Sequence, residues 1–108
     1  MAFRLEIAPE AREQLRSIYR FIAEQTGPKT AAGFARAILD QCRSLTTFPH
    51  RGTSRSDLRP GLRVLGFRRS VAILFEVEGD IVRIGGIYYG GRDYEKLFNP
   101  PAGDPRQR

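Results

Sequence analysis

The sequence predicts an α+β domain in which a helical hairpin packs on one face of a small antiparallel sheet, in the order β-α-α-β-β-β. Three observations carry that prediction. The chain opens in period-two alternation, passes through two helical stripes joined at Gly27-Pro28, and returns to period two from Leu62 to Tyr89 with β-branched and aromatic residues. A chain of 108 residues fits one domain, expected over residues 1–98, with 99–108 as a flexible C-terminal tail.

Phe3, Leu5 and Ile7 alternate with Arg4 and Glu6, which makes the opening segment a strand with one buried face. Pro9 suits the first position of a helix, and Glu10 and Glu13 sit near the positive end of its dipole. Ala11, Leu15, Ile18 and Ile22 recur at helical spacing, so a first amphipathic helix is expected from Pro9 to Gln25. Gly27-Pro28 ends it and starts the next, because glycine tolerates positive φ and proline can open a helix without extending the preceding one. Ala31, Phe34, Ala35, Ile38, Cys42 and Leu45 form the second stripe, which Phe48-Pro49 closes. The polar, basic stretch from His50 to Gly61 is expected as a loop. Three strands then follow: Arg63 to Phe67, Val71 to Val77 and Ile81 to Tyr89, turning at Arg68-Arg69-Ser70 and Glu78-Gly79-Asp80. Both alternating sets of the middle strand are apolar, so it is expected to be buried on both faces. Asp93 to Phe98 adds one short helical turn.

Charge is unevenly placed. Net charge is +6, and the segment from Arg51 to Arg69 holds six arginines against one acid, Asp57. Guanidinium groups bind carboxylates and phosphates bidentately, so such a cluster points to an acidic partner or a nucleic-acid backbone. With Arg83 and Arg92 and with Tyr88, Tyr89 and Tyr94 nearby, it composes an arginine-and-tyrosine surface of the kind that supplies binding hot spots. No apolar run approaches the ~20 residues of a membrane span. The charged amino terminus does not read as a signal peptide, and the lone cysteine cannot form an internal disulfide, so a cytoplasmic protein is expected.

Other chemistry has weaker support. His50 is the only histidine, and no nucleophile motif accompanies it. Cys42 falls on the apolar stripe and reads as core. Gly85 and Gly86 lie in a strand without the Lys-Ser/Thr of a phosphate loop, so a bulge or close approach is expected there. Glu76, Glu78 and Asp80 surround a hairpin turn, where solvation accounts for them, and neither a metal nor a cofactor is expected.

Several segments together resemble the ParE/RelE superfamily of type II toxin-antitoxin toxins. They are Ala11 and Leu15 through Tyr19 and Ile22, then Leu45-Thr46-Thr47-Phe48-Pro49-His50-Arg51-Gly52, then Pro60-Gly61-Leu62-Arg63, and finally Ile84 to Asp93. The superfamily divides between RelE-like ribosome-dependent endoribonucleases and ParE-like poisons of DNA gyrase. RelE-like cleavage is credited to basic residues entering the sheet, an arginine in the middle strand, an arginine after the last strand and a terminal tyrosine, which act by acid-base and electrostatic catalysis. Arg63 and Arg92 stand at two of those positions, but the middle strand offers Ala72 and the terminal position Phe98. The resemblance therefore implies the ParE-like branch, without catalytic residues of its own. It implies a gyrase-inhibiting toxin neutralised by a ParD-like antitoxin in a hetero-oligomer that contacts DNA through the antitoxin. Antitoxin contacts are expected at Phe21, Arg63, Arg69 and Arg92, and target contacts at Arg68, Tyr88, Tyr89 and Tyr94. A RelE-like ribonuclease and a non-toxic antitoxin-binding module remain the alternatives.

Overall fold

The computed structural model describes residues 3–90 and 94–95. The elements are β1 (Arg4–Ile7), α1 (Pro9–Thr26), α2 (Pro28–Ser44), β2 (Thr53–Ser54), β3 (Arg63–Phe67), β4 (Val71–Glu78) and β5 (Ile81–Tyr89). Both helices pack on one face of a single sheet of strand order β1-β5-β4-β3-β2. The α+β class, the helical hairpin and the order of the main elements agree with the sequence. Arg92, the remainder of the Asp93 to Phe98 turn around Tyr94 and Glu95, and the tail at 99–108 lie outside the described residues.

The sheet differs from expectation in two respects. It is mixed rather than antiparallel, because β1 runs parallel to β5, with Arg4 opposite Ile81 and Ile7 opposite Ile84. Short turns dictate antiparallel pairing for β3, β4 and β5, but nearly the whole chain separates β1 from its neighbour, and such a connection permits a parallel pair. It also has a fifth strand inside the expected loop, where Thr53 pairs with Val64 and Ser54 with Arg63. Two residues are too few for any periodicity to announce them.

Local chemistry sets the helix limits. Gly27, at φ +100°, donates its N–H to the Ala23 carbonyl at 2.9 Å and closes α1. At the end of α2, Leu45 and Thr46 donate to the carbonyls of Cys42 and Arg43, three residues back, and the hydroxyls of Ser44 and Thr46 bond Gln41 and Arg43 carbonyls. These tighter bonds stop the helix at Ser44, before Phe48-Pro49 is reached.

Ile18 and Ile38 of the helices meet Ile73 and Phe75 of β4 and Val82 and Ile84 of β5 in the main core. Leu62, Ala72, Leu74 and Tyr94 form a smaller cluster on the opposite face, so β4 is buried on both sides as its composition requires. The register between β4 and β5 shifts at Leu74/Phe75, leaving Gly85 as the extra residue of a bulge. That extra residue changes the phase of β5, and Ile84 and Ile87, three apart, both enter the helix-side core. Tyr88 therefore joins the opposite cluster while Tyr89 meets the helices.

Cys42 is fully buried, and desolvation pushes its thiol up to about 11. A thiol with that pKa carries little thiolate at pH 8. Native protein is expected to leave Cys42 unmodified by a thiol-specific disulfide reagent at that pH, with full reaction in denaturant; prompt labelling of folded protein would contradict its burial.

Candidate functional site

Four of the six clustered arginines are engaged within the fold. Arg51 donates to Ser44 Oγ at 2.6 Å and to Gln41 Oε1 at 3.4 Å, tying the long loop to the end of α2. Arg55 grips Asp57 with two nitrogens at 3.0 and 2.9 Å and reaches Glu95 at 2.7 Å and the Tyr94 hydroxyl at 3.1 Å with a third. Asp57 and Glu95, in that order, raise the Arg55 pKa above its usual value, and Arg55 in turn holds Asp57 below the usual carboxylate range. Arg59 pairs with Glu76. Arg63 donates to the carbonyls of Arg51 at 3.0 Å and His50 at 3.2 Å. The cluster thus folds a loop that has little apolar content of its own.

Arg68 and Arg69 differ from these four. They are exposed at the β3–β4 turn, and neither has a hydrogen-bond or ion-pair partner among the described residues. Both have positive φ, 50° and 61°, a conformation that L-residues with a Cβ adopt at a cost of roughly 1–2 kcal/mol each. The Arg68 guanidinium lies 4.8 Å from the Phe67 ring centre and 5.8 Å from that of Phe34. Phe34 meets Tyr89 edge-on at 6.2 Å, and Tyr89 meets Phe21 at 5.7 Å. Phe21 is 47% exposed and Tyr89 42%, two large side chains left at the surface near the Arg68-Arg69 turn. From this patch a cleft of about 570 Å³ runs between α1 and β5, floored by Ile18 and Ile87 and bordered by Glu10 and Glu13. Arg20 and then Arg16 hold the Glu13 carboxyl below its usual pKa.

The sequence matches the ParE toxin family of the type II toxin-antitoxin system parDE over residues 5–94. This chain belongs to that family. It is similar to toxin ParE3 of Caulobacter vibrioides, with 34% identity over 67 residues, a stretch that takes in 62% of this chain and 66% of that relative. Among solved structures it resembles a chain of the chromosomal ParDE system from P. aeruginosa, at a TM-score of 0.73 and 26% identity, covering 82% of this chain and 97% of that one. The RelBE2 toxin-antitoxin complex from Mycobacterium tuberculosis shares the fold, at a TM-score of 0.57 and 16% identity, over 85% of this chain and 95% of that one.

In this ParE-family chain the residues singled out from sequence separate into three places. Phe21, Arg68 and Tyr89 come together at one end of the sheet, with Arg69 beside Arg68 at the turn. Arg63 stands at the other end of β3, four residues and roughly 13 Å from Phe67 at the usual strand rise, with donors turned to loop carbonyls. Tyr88 and Tyr94 lie on the opposite sheet face, their rings 6.4 Å apart, and Tyr94 is only 7% exposed. Arg92 is outside the described residues. Spacing places Phe34 on the core stripe and Phe67 in the sheet, and together they carry the Arg68 guanidinium. Their one sequence signal is a bulky aromatic next to a basic hairpin turn.

Proposed function

We propose that this ParE-family toxin arrests growth by stabilising the DNA cleaved by gyrase, and that a ParD-like antitoxin neutralises it in a hetero-oligomer that contacts DNA through the antitoxin. The observation that carries the choice over a nuclease is the state of the sheet face opposite the helices. Ala72, where the RelE-like resemblance would place a cation, is 6% exposed and packed with Leu62, Leu74 and Tyr94. Arg63 is turned to backbone carbonyls. A phosphodiester transition state needs preorganised cations, and losing one such donor costs ~2.7–4 kcal/mol. The Arg68-Arg69 turn lies instead beside exposed aromatics, which suits recognition of another macromolecule. The antitoxin then covers Phe21 and Arg69, and the target meets the adjoining Arg68 and Tyr89.

Purified chain mixed with gyrase, supercoiled plasmid and ATP is expected to accumulate linear DNA, seen after protein denaturation, and antitoxin is expected to suppress it. Cuts in ribosome-bound mRNA with gyrase unaffected would assign the chain to the nuclease reading. Normal growth on induction of soluble chain would make it a non-toxic binding module.

A further inference from the structure

A polar cavity lies where the loop after α2 meets the β2–β3 ladder, away from the cleft beside α1. Arg63 stands opposite Phe75, a residue of the helix-side core, so it belongs to that face, whereas its neighbour Val64 joins the opposite cluster. Ser54 pairs with Arg63 across the ladder and shares its face. Arg55, the next residue, points the other way and reaches Tyr94 and Glu95. Ser56 then returns to the side of Ser54, their hydroxyl oxygens 3.2 Å apart. Ser54, Ser56, Arg63 and His50 line a cavity of about 220 Å³, which Gly61 and Val77 complete. It opens on the helix-side face, not on the face where the nuclease resemblance would place its catalytic cations.

The walls of this cavity offer a cation and donors but no carboxylate. Arg63 gives its Nε–H to the Arg51 carbonyl and an Nη2–H to the His50 carbonyl, which fixes the guanidinium plane and leaves the Nη1 end unused by either. Both acceptors are neutral, and among the described residues Arg63 has no ion pair, so its charge stands uncompensated. Asp57, the only acid between Arg51 and Arg63, is gripped by Arg55 and does not line the cavity. In the serine pair one hydroxyl donates to the other, so the second keeps a proton to offer. A fixed guanidinium and a hydroxyl donor, with no competing carboxylate, select an oxyanion, to which they make charge-assisted hydrogen bonds. No Phe or Tyr lines the cavity, so a base has nothing there to stack on. What it fits is the phosphate, the part of a nucleic acid that positions a protein without reporting sequence.

We infer that the cavity formed by Ser54, Ser56 and Arg63 binds one backbone phosphate of duplex DNA, so that the toxin itself touches the DNA. The phosphate follows from the cavity alone; the choice of DNA over RNA rests on the proposed action on DNA cleaved by gyrase. A single guanidinium held by carbonyls anchors a phosphate, and the contact adds register and affinity to the toxin rather than cleavage.

The test is binding of the full chain to a short duplex of mixed sequence, by fluorescence anisotropy from about 50 to 200 mM salt, without gyrase or antitoxin. Ser56→Asp puts a carboxylate into the cavity at an exposed position and leaves the Arg63 bonds to the loop carbonyls in place. Thr30→Asp makes the same change of charge on the exposed first turn of α2, about 20 Å along the helix from Ser44. Ser56→Asp is expected to weaken duplex binding at least ~10-fold near 50 mM salt and to make log K against log salt shallower by ~0.9, the share of one phosphate. Thr30→Asp is expected to keep the slope and to lose less than ~3-fold. Equal losses in the two variants would reduce the effect to net charge and overturn the site. Failure of the unsubstituted chain to bind duplex would also overturn it, and inorganic phosphate that then shifted the Ser54 and Ser56 amide resonances would make a free phosphate the ligand. Single-stranded RNA held more tightly than duplex, with the same loss on Ser56→Asp, would overturn the choice of DNA. The gyrase assay is read separately: no linear DNA, with duplex still held through Ser56, would fell the poisoning reading and leave the phosphate site standing.

Discussion

Replacing Gly52 by alanine is expected to destabilise the fold by about 2–5 kcal/mol. Gly52 has φ +76°, and a Cβ on it would stand 2.3 Å from the Val64 carbonyl oxygen and 2.9 Å from its carbon. The left-handed conformation contributes ~1–2 kcal/mol and the steric displacement ~1–3. The neighbour is the backbone of β3, so no rotamer change relieves the clash. Either β2 separates from β3, taking with it the bonds from Arg63 to the His50 and Arg51 carbonyls, or the strand itself shifts. Gly61 supplies the control: its φ is +83°, but a Cβ there meets nothing within 4 Å. Gly61→Ala is expected to cost only the conformational part. Thermal unfolding of the two variants checks this, with a Tm loss of at least about 10 °C for Gly52→Ala and roughly half that or less for Gly61→Ala. Equal losses would mean that the loop does not cross β3 so closely.

The close crossing also explains what is legible in this chain. Helical spacing, Gly27-Pro28 and the turn residues report local geometry, and they place the hairpin and the three C-terminal strands. The parallel neighbour of β1 is set by contacts between residues 4–7 and 81–84, and no local pattern records such a pairing. The arginines show the same division. Their density between Arg51 and Arg69 is plain, but Arg55 finds Glu95 forty residues away, and Arg63 turns to the carbonyls of its own loop. Sequence counts charges, whereas the fold decides which of them remain available. Tyr88 and Tyr89 make the point within one dipeptide, since strand alternation sends one to each face. The bulge at Gly85 then selects which face each receives, a choice that depends on the partner strand's register.

The paired substitution Arg68→Asn and Arg69→Gly is expected to move stability and binding in opposite directions. Asn-Gly is the preferred dipeptide for a turn whose central residues both need positive φ, and these positions have φ 50° and 61°. Relief of the left-handed penalties, ~1–2 kcal/mol per residue, outweighs the ~0.5–1 kcal/mol forfeited when Arg68 leaves the Phe34 and Phe67 rings, so a net gain of about 1–3 kcal/mol is expected by chemical denaturation. Affinity for the antitoxin is expected to fall at least ~10-fold, mostly through a slower, salt-sensitive association, because both cations of the turn would be gone. A turn that existed only to join two strands would gain the stability and keep the affinity, and that outcome would remove Arg68 and Arg69 from the binding surface. The linear-DNA assay on the same variant separates two architectures. Loss of gyrase poisoning together with antitoxin affinity would mean that one patch serves both partners, so that the antitoxin neutralises by covering it. Poisoning that survived would put the gyrase contacts elsewhere on the chain, and neutralisation would then act from a surface the target never touches.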